Sequence, residues 1–210
     1  MKYREWRRPL QMALLGLVCA NAATAISVKV SVTGKSGAPS ADTIVVFDPL
    51  DGTPAPTHDT AVIDQINKTF VPRVNVMRTG TAVAFPNSDR IRHQVYSFST
   101  PHPFTLKLYA GSPRTDVVFE KPGMIVLGCN IHDSMVAFVA VVDSPYFKKT
   151  PASGIAEMDL PPGRYRLRVW NPNMIMAIPP QEITVAGAPV AVPLRVDVDP
   201  THGTDVAWPE

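Results

Sequence analysis

From Ile26 to Thr33 the chain alternates Val28, Val30 and Val32 with polar neighbours, the period of a strand buried on one face. Short apolar runs of similar length recur: Thr43 to Phe47, Ala61 to Ile66, Phe70 to Met77, Thr81 to Phe85, Gln94 to Ser99 and Phe104 to Tyr109. Thr115 to Phe119, Met124 to Leu127 and Val136 to Val142 continue the series. Gly34-Lys35-Ser36-Gly37, Arg78-Thr79-Gly80 and Lys121-Pro122-Gly123 read as turns between such runs. No stretch keeps the helical period for more than two turns, and 22 Pro with 12 Gly fit a chain of many short strands. The pattern predicts an all-β protein. Its centre holds roughly eight strands in about 85 residues, the density of a Greek-key sandwich. Beyond Thr150, Gly154 to Leu160, Tyr165 to Trp170, Glu182 to Val185 and Pro189 to Val198 read as further strands.

The first 25 residues stand apart from this pattern. Lys2, Arg4, Arg7 and Arg8 precede an apolar run from Leu10 to Ala20 that is too short to span a bilayer. Ala23-Thr24-Ala25 then supplies small residues at the cleavage positions, so residues 1–25 read as a secretory signal peptide and the mature chain as periplasmic. Removing them leaves 16 basic against 17 acidic residues, a net charge of about −1. The basicity belongs to the leader, and nothing points to nucleic acid or, after cleavage, to a membrane as partner.

Cleavage also takes Cys19 and leaves Cys129 alone in an oxidising compartment. Burial as a small hydrophobe, nucleophilic catalysis and metal ligation are the three uses open to such a thiol. Its surroundings bear on the choice. The run Met124 to Leu127 ends at Gly128, and Cys129, His132 and Met135 follow within seven positions. Thiolate, imidazole and thioether together suit copper, whereas a thioether is a poor ligand for hard cations. One more His is needed. His93, after the turn-rich Pro86-Asn87-Ser88-Asp89, is the best candidate; His58 and His102 lie in segments that read as solvated loops.

The segments Phe70-Val71-Pro72, Arg78 to Asp89, His93, Pro122-Gly123 and Cys129-Asn130-Ile131-His132-Asp133-Ser134-Met135 together resemble the cupredoxin family of type 1 blue copper proteins. The Cys-x-x-His-x-x-Met loop is similar to that of amicyanin. More narrowly, Ile91 to Ser99 and Gly128 to Asp133 resemble a group of exported bacterial proteins labelled methylamine utilization proteins. The resemblance implies a Greek-key sandwich over residues 56–147 holding one copper ion. His93, Cys129 and His132 would be its equatorial ligands and Met135 its axial one. Asn87 and Gln94, beside His93, are candidates to tie the two ligand loops together by hydrogen bonds, with a plain turn role as the alternative for Asn87. The string Leu160-Pro161-Pro162-Gly163-Arg164-Tyr165 is similar to the late part of carboxypeptidase-regulatory-like sandwiches, and Val28 to Phe47 to their early part. This implies an accessory β module built from residues 26–55 and 148–200, with 201–210 as a tail.

What the resemblance implies is a one-electron carrier and not an enzyme, with a cytochrome c or a dehydrogenase as redox partner. The alternative is a protein that holds, delivers or senses copper without redox turnover. His93, at a strand end, is expected to be buried, and His132, within the loop, to show a ring edge to solvent. Ile131 and Met135, with Pro101 and Pro103 from a neighbouring turn, are expected to form an uncharged docking patch around that edge.

Overall fold

The computed structural model describes residues 24–52, 55, 57–199, 201 and 208–209. All but the end of the expected signal peptide, and most of the expected tail, lie outside the described residues. Among those described, no helix is long and apolar enough to cross a membrane.

The protein is all-β. Near the N-terminus lie β1 (Ile26–Thr33) and β2 (Ile44–Pro49). The middle of the chain carries β3 (Thr60–Val62), β4 (Asp64–Ile66), β5 (Thr69–Val71), β6 (Val74–Arg78) and β7 (Ala82–Ala84). It continues with β8 (His93–Ser97), β9 (Phe104–Tyr109), β10 (Val117–Val118), β11 (Gly123–Gly128) and β12 (Val136–Val142). The C-terminal part adds β13 (Phe147–Lys149), β14 (Ile155–Leu160), β15 (Gly163–Trp170), β16 (Gln181–Val185) and β17 (Val190–Arg195).

These strands stack as four layers. The outermost sheet has the order β14-β1-β17 and the next β13-β2-β15-β16, so both layers draw on the two ends of the chain. The third sheet, β6-β12-β11-β8-β9, and the fourth, β10-β7-β3, use the middle of the chain alone, with β4 and β5 pairing as a separate hairpin. Three apolar cores fill the gaps. Val28, Val30 and Val32 face Phe47, Leu167 and Val169 in the first. Ile44, Val46 and Trp170 meet Val74, Phe138, Ala140 and Val142 in the second. Phe70, Val83, Phe85, Val95, Phe119, Ile125 and Leu127 fill the third.

Strands β2 and β12 explain why the layers hold together. In β12 the odd positions Ala137, Val139 and Val141 point into the third core, and the even positions Phe138, Ala140 and Val142 into the second. In β2, Val45 and Phe47 enter the first core while Ile44 and Val46 enter the second. Successive side chains of a strand point to opposite faces, so a strand covered on both sides has no polar alternation. Ile-Val-Val-Phe and Val-Ala-Phe-Val-Ala-Val-Val are such strings.

Two predicted strands are broken. The run Ala61 to Ile66 divides at the fully buried Ile63: β3 pairs with β7, whereas β4 pairs with β5. The run Phe70 to Met77 divides at Pro72, which has no N–H for a ladder, and the chain leaves the β4–β5 hairpin to pair as β6 alongside β12. Strand β13, a short edge strand on β2, had no sequence counterpart.

Candidate metal centre

The third sheet brings the ligand candidates to one end. His93 opens β8, where it stands opposite Tyr109 at the end of β9. Beside it β11 ends at Gly128, which pairs with Tyr96 of β8 and Val136 of β12. A Cβ at Gly128 would lie 2.7 Å from the Tyr96 ring, so the absence of a side chain lets this ring cover the strand end next to Cys129. The loop from Cys129 to Met135 then closes tightly: the Met135 N–H donates to His132 O at 2.9 Å, and the Val136 N–H to Ser134 O at 3.1 Å, before β12 begins.

His93, Cys129 and His132 each direct one ligand atom into a common point, and these atoms all lie within 4.8 Å of one another. Cys129 Sγ is 3.7 Å from His93 Nδ1. The two imidazole rings stand 5.1 Å apart at 57°. His93 is fully buried, Cys129 nearly so, and His132 half-buried. His132 Nδ1 is itself buried and has no hydrogen-bond partner. A buried polar atom with no partner costs free energy unless something not yet counted satisfies it.

A metal ion held by these donors would satisfy that requirement. Donors about 2.0–2.3 Å from one ion at trigonal angles lie roughly 3.8 Å apart, which the Cys129–His93 separation already matches. Met135 is buried in the same apolar core as Cys129. The donor set fits copper. Residues whose side chains are acceptor-only carboxylates are not among the converging ligands, so the group is not one for a hard cation.

The other edge of His93 is held by a residue the sequence reading did not select. His93 Nε2 lies 2.8 Å from Asp89 Oδ2. The same carboxylate accepts the Asn67 N–H at 2.7 Å and the Lys68 N–H at 2.8 Å. These two residues form the turn between β4 and β5 with φ of 53° and 60°. Bonds from the Lys68 N–H first, then from His93 and the Asn67 N–H, hold the Asp89 carboxyl below its ordinary value against a desolvation effect that acts the other way.

Asn87 has the turn role and does not bridge the ligand loops. Its Nδ2 donates to Ile91 O and Tyr109 O, both at 2.9 Å, its N–H donates to Gly111 O at 2.7 Å, and its Oδ1 accepts the Asp89 N–H at 3.0 Å. It therefore aims the loop that carries Asp89 and His93. Beneath it Gln65, fully buried, donates to the Tyr109 hydroxyl at 2.5 Å, and that hydroxyl donates to Phe85 O at 2.6 Å. Burial pushes the Tyr109 phenol up to about 12.

The expected docking patch is not assembled as foreseen. Met135 is only 1% exposed and contributes nothing to the surface. Pro101 packs against Gly123, at the opposite end of β11 from Cys129. Six residue steps of strand, about 20 Å, separate the two. The physical reason lies in the hairpin: His93 and Tyr109 are paired at the site end of β8 and β9, so the turn containing Pro101 and Pro103 must fall at the other end. Ile131, 50% exposed, remains at the site. His102 is half-buried against the Phe104 and Phe119 rings, at 5.8 and 5.0 Å, and His58 is exposed.

No protein-family model and no curated protein sequence matches the chain. Among solved structures it is similar to the Cu-containing nitrite reductase (NirK) from Thermus scotoductus SA-01, with 26% identity and a TM-score of 0.38 over 45% of this chain. It spans only 25% of that reductase. It is also similar to a purple cupredoxin from Nitrosopumilus maritimus, at 23% identity and a TM-score of 0.35, over 40% of this chain and 99% of that one. A reduced amicyanin mutant matches at 17% identity and a TM-score of 0.34, over 45% of this chain and 97% of its own.

Proposed function

We propose that the chain is an exported copper protein that carries single electrons between periplasmic redox partners, a cytochrome c or a dehydrogenase being the kind of partner implied. One observation carries this reading: His93 Nδ1, Cys129 Sγ and an imidazole nitrogen of His132 converge at one end of a sheet, and the buried His132 Nδ1 lacks any other partner. Copper in such a site supplies a one-electron couple. The residues do the rest. Cys129 would contribute a thiolate, whose charge offsets that of the ion, and Met135 would supply a weak thioether donor. His93 is locked by Asp89 behind it, and the short 129–135 loop, closed by the Met135 to His132 bond, limits movement between the two oxidation states. His132, half-buried, offers its outer edge as the route for electrons, with Ile131 beside it as the apolar contact.

The same proposal divides the chain into a cupredoxin unit, residues 56–147, and an accessory module from residues 26–55 and 148–200. Support for the division comes from β1 pairing with β14 and β17, and from β2 pairing with β13 and β15. The narrower likeness to methylamine utilization proteins rests on the strings Ile91 to Ser99 and Gly128 to Asp133 and belongs to this proposal too.

Potentiometric titration of the copper-loaded mature protein tests the reading. The expected result is an intense visible thiolate-to-copper band that bleaches and returns reversibly with one electron per chain, and that is absent in Cys129→Ser. A copper complex that cannot be cycled leaves a holding or delivery role, and a colourless protein that prefers zinc removes the copper reading.

A further inference from the structure

We propose that Asp89 is a positioning residue for the centre: its carboxylate fixes which nitrogen of His93 carries the proton and strengthens the other nitrogen as a metal donor. This rests on the copper reading only for its effect on potential, since the pairing belongs to the metal-free protein.

The geometry leaves His93 one arrangement. The ring is fully buried, and Nε2 faces Asp89 Oδ2 at 2.8 Å. An ionised carboxylate accepts and does not donate, so Nε2 holds the hydrogen. Nδ1 is left with its lone pair directed at Cys129 Sγ, 3.7 Å away. A carboxylate behind a ligating imidazole fixes the ring, raises its basicity and favours the more highly charged oxidation state of the ion. Asp89 is held in place from the far side. The consecutive N–H groups of Asn67 and Lys68 converge on it because both residues are left-handed, a conformation uncommon for a lysine. The β4–β5 turn therefore acts as a clamp on the His93 side of the centre. A cavity of about 560 Å³ lined by Asn67, Lys68, Ser88, Asp89, Arg90 and Ile91 lies at this clamp, so the carboxylate is reached from solvent on the side away from the ligands.

Two measurements test the assignment. In the metal-free wild-type protein, long-range proton–nitrogen NMR should show His93 as the Nε2–H tautomer with a slowly exchanging, downfield Nε2 proton. An Nδ1–H tautomer overturns the proposal, whatever any variant does. Asp89→Asn removes the charge and keeps one of the two acceptor oxygens that Asn67, Lys68 and His93 share. It should shift the Nε2 proton upfield, weaken Zn(II) binding about 10-fold and weaken Cu(II) relative to Cu(I) by a similar factor. A tenfold change of that kind raises the potential by about 59 mV for one electron. A residue that merely braced the turn would lower thermal stability and leave the potential unmoved, and that outcome overturns the proposal. If the wild type shows no thiolate-to-copper band, the copper reading fails separately, while the tautomer and the Zn(II) ratio still decide the role of Asp89.

Discussion

In the outer two layers, Ser40, Thr43, Thr150 and Asn171 are buried together and satisfy one another; in the inner two, His93, Cys129 and His132 converge and leave His132 Nδ1 without a partner. Ser40 Oγ lies 3.1 Å from Thr43 Oγ1, the Thr150 hydroxyl donates to Ser40 O at 2.7 Å, and the Thr43 N–H donates to Thr150 Oγ1 at 3.0 Å. Asn171 Nδ2 closes the set on Ala41 O at 2.8 Å and Thr43 Oγ1 at 3.1 Å. At the other cluster His132 Nδ1 stays unpartnered. A buried polar group that its neighbours satisfy stabilises the fold, whereas one left open is costly, and among the described residues only at His132 does the open atom stand beside two other converging ligand atoms. The first cluster is structure and the second is the one proposed as a site.

The largest expected effect concerns what joins the two regions. Trp170 is fully buried between them and packs on Phe138 of β12 at 5.6 Å between ring centroids. Trp170→Ala should cost about 3–5 kcal/mol in denaturant unfolding. Because β12 also lines the site core, unfolding should remain a single transition that takes the site with it. Two separated transitions would show that the regions are independent.

Next in size is the closed cluster. Asn171→Ala strips donors from Ala41 O and Thr43 Oγ1 and should cost about 1–3 kcal/mol while leaving metal affinity unchanged. His132→Leu is its counterpart. Removing an already unpartnered nitrogen should leave the metal-free protein as stable as before or more stable by up to about 1–3 kcal/mol, yet abolish the stabilisation that metal confers. A loss of about 2 kcal/mol or more in the metal-free variant would instead give His132 the same structural role as Asn171.

The smallest effect is alkaline. Tyr109, ordinarily near 10, is raised to about 12 in the folded state by burial, so its neutral form is favoured there. Its contribution is fully present below pH 10 and is lost as pH rises toward about 12. Urea unfolding across this range should show a decline in stability that Tyr109→Phe reduces.

Much of this was legible in the residues, for identifiable reasons. Strands β1 and β12 fall where the apolar pattern put them, because each pairs with both its neighbours in unbroken register. The breaks at Ile63 and Pro72 were hidden because apolar pattern reports burial and not which neighbour a backbone pairs with; only Pro72, lacking an N–H, gave a local sign. Strand β13, with Lys148 and Lys149 at a sheet edge, has no apolar run to see. His93, Cys129, His132 and Met135 stood out by residue type and spacing. Asp89 did not, since a carboxylate in a turn is ordinary and its reach to His93 depends on where the β4–β5 hairpin lies. The misplaced Pro101 and Pro103 came from the same blindness to hairpin direction.

The most direct test of the centre is X-ray absorption at the copper edge of the mature protein loaded with one equivalent. One short copper–sulfur contact is expected, lost in Cys129→Ser, with two copper–imidazole contacts, one lost in each of His93→Ala and His132→Ala. Copper bound with only nitrogen and oxygen neighbours, unchanged in Cys129→Ser, would contradict it.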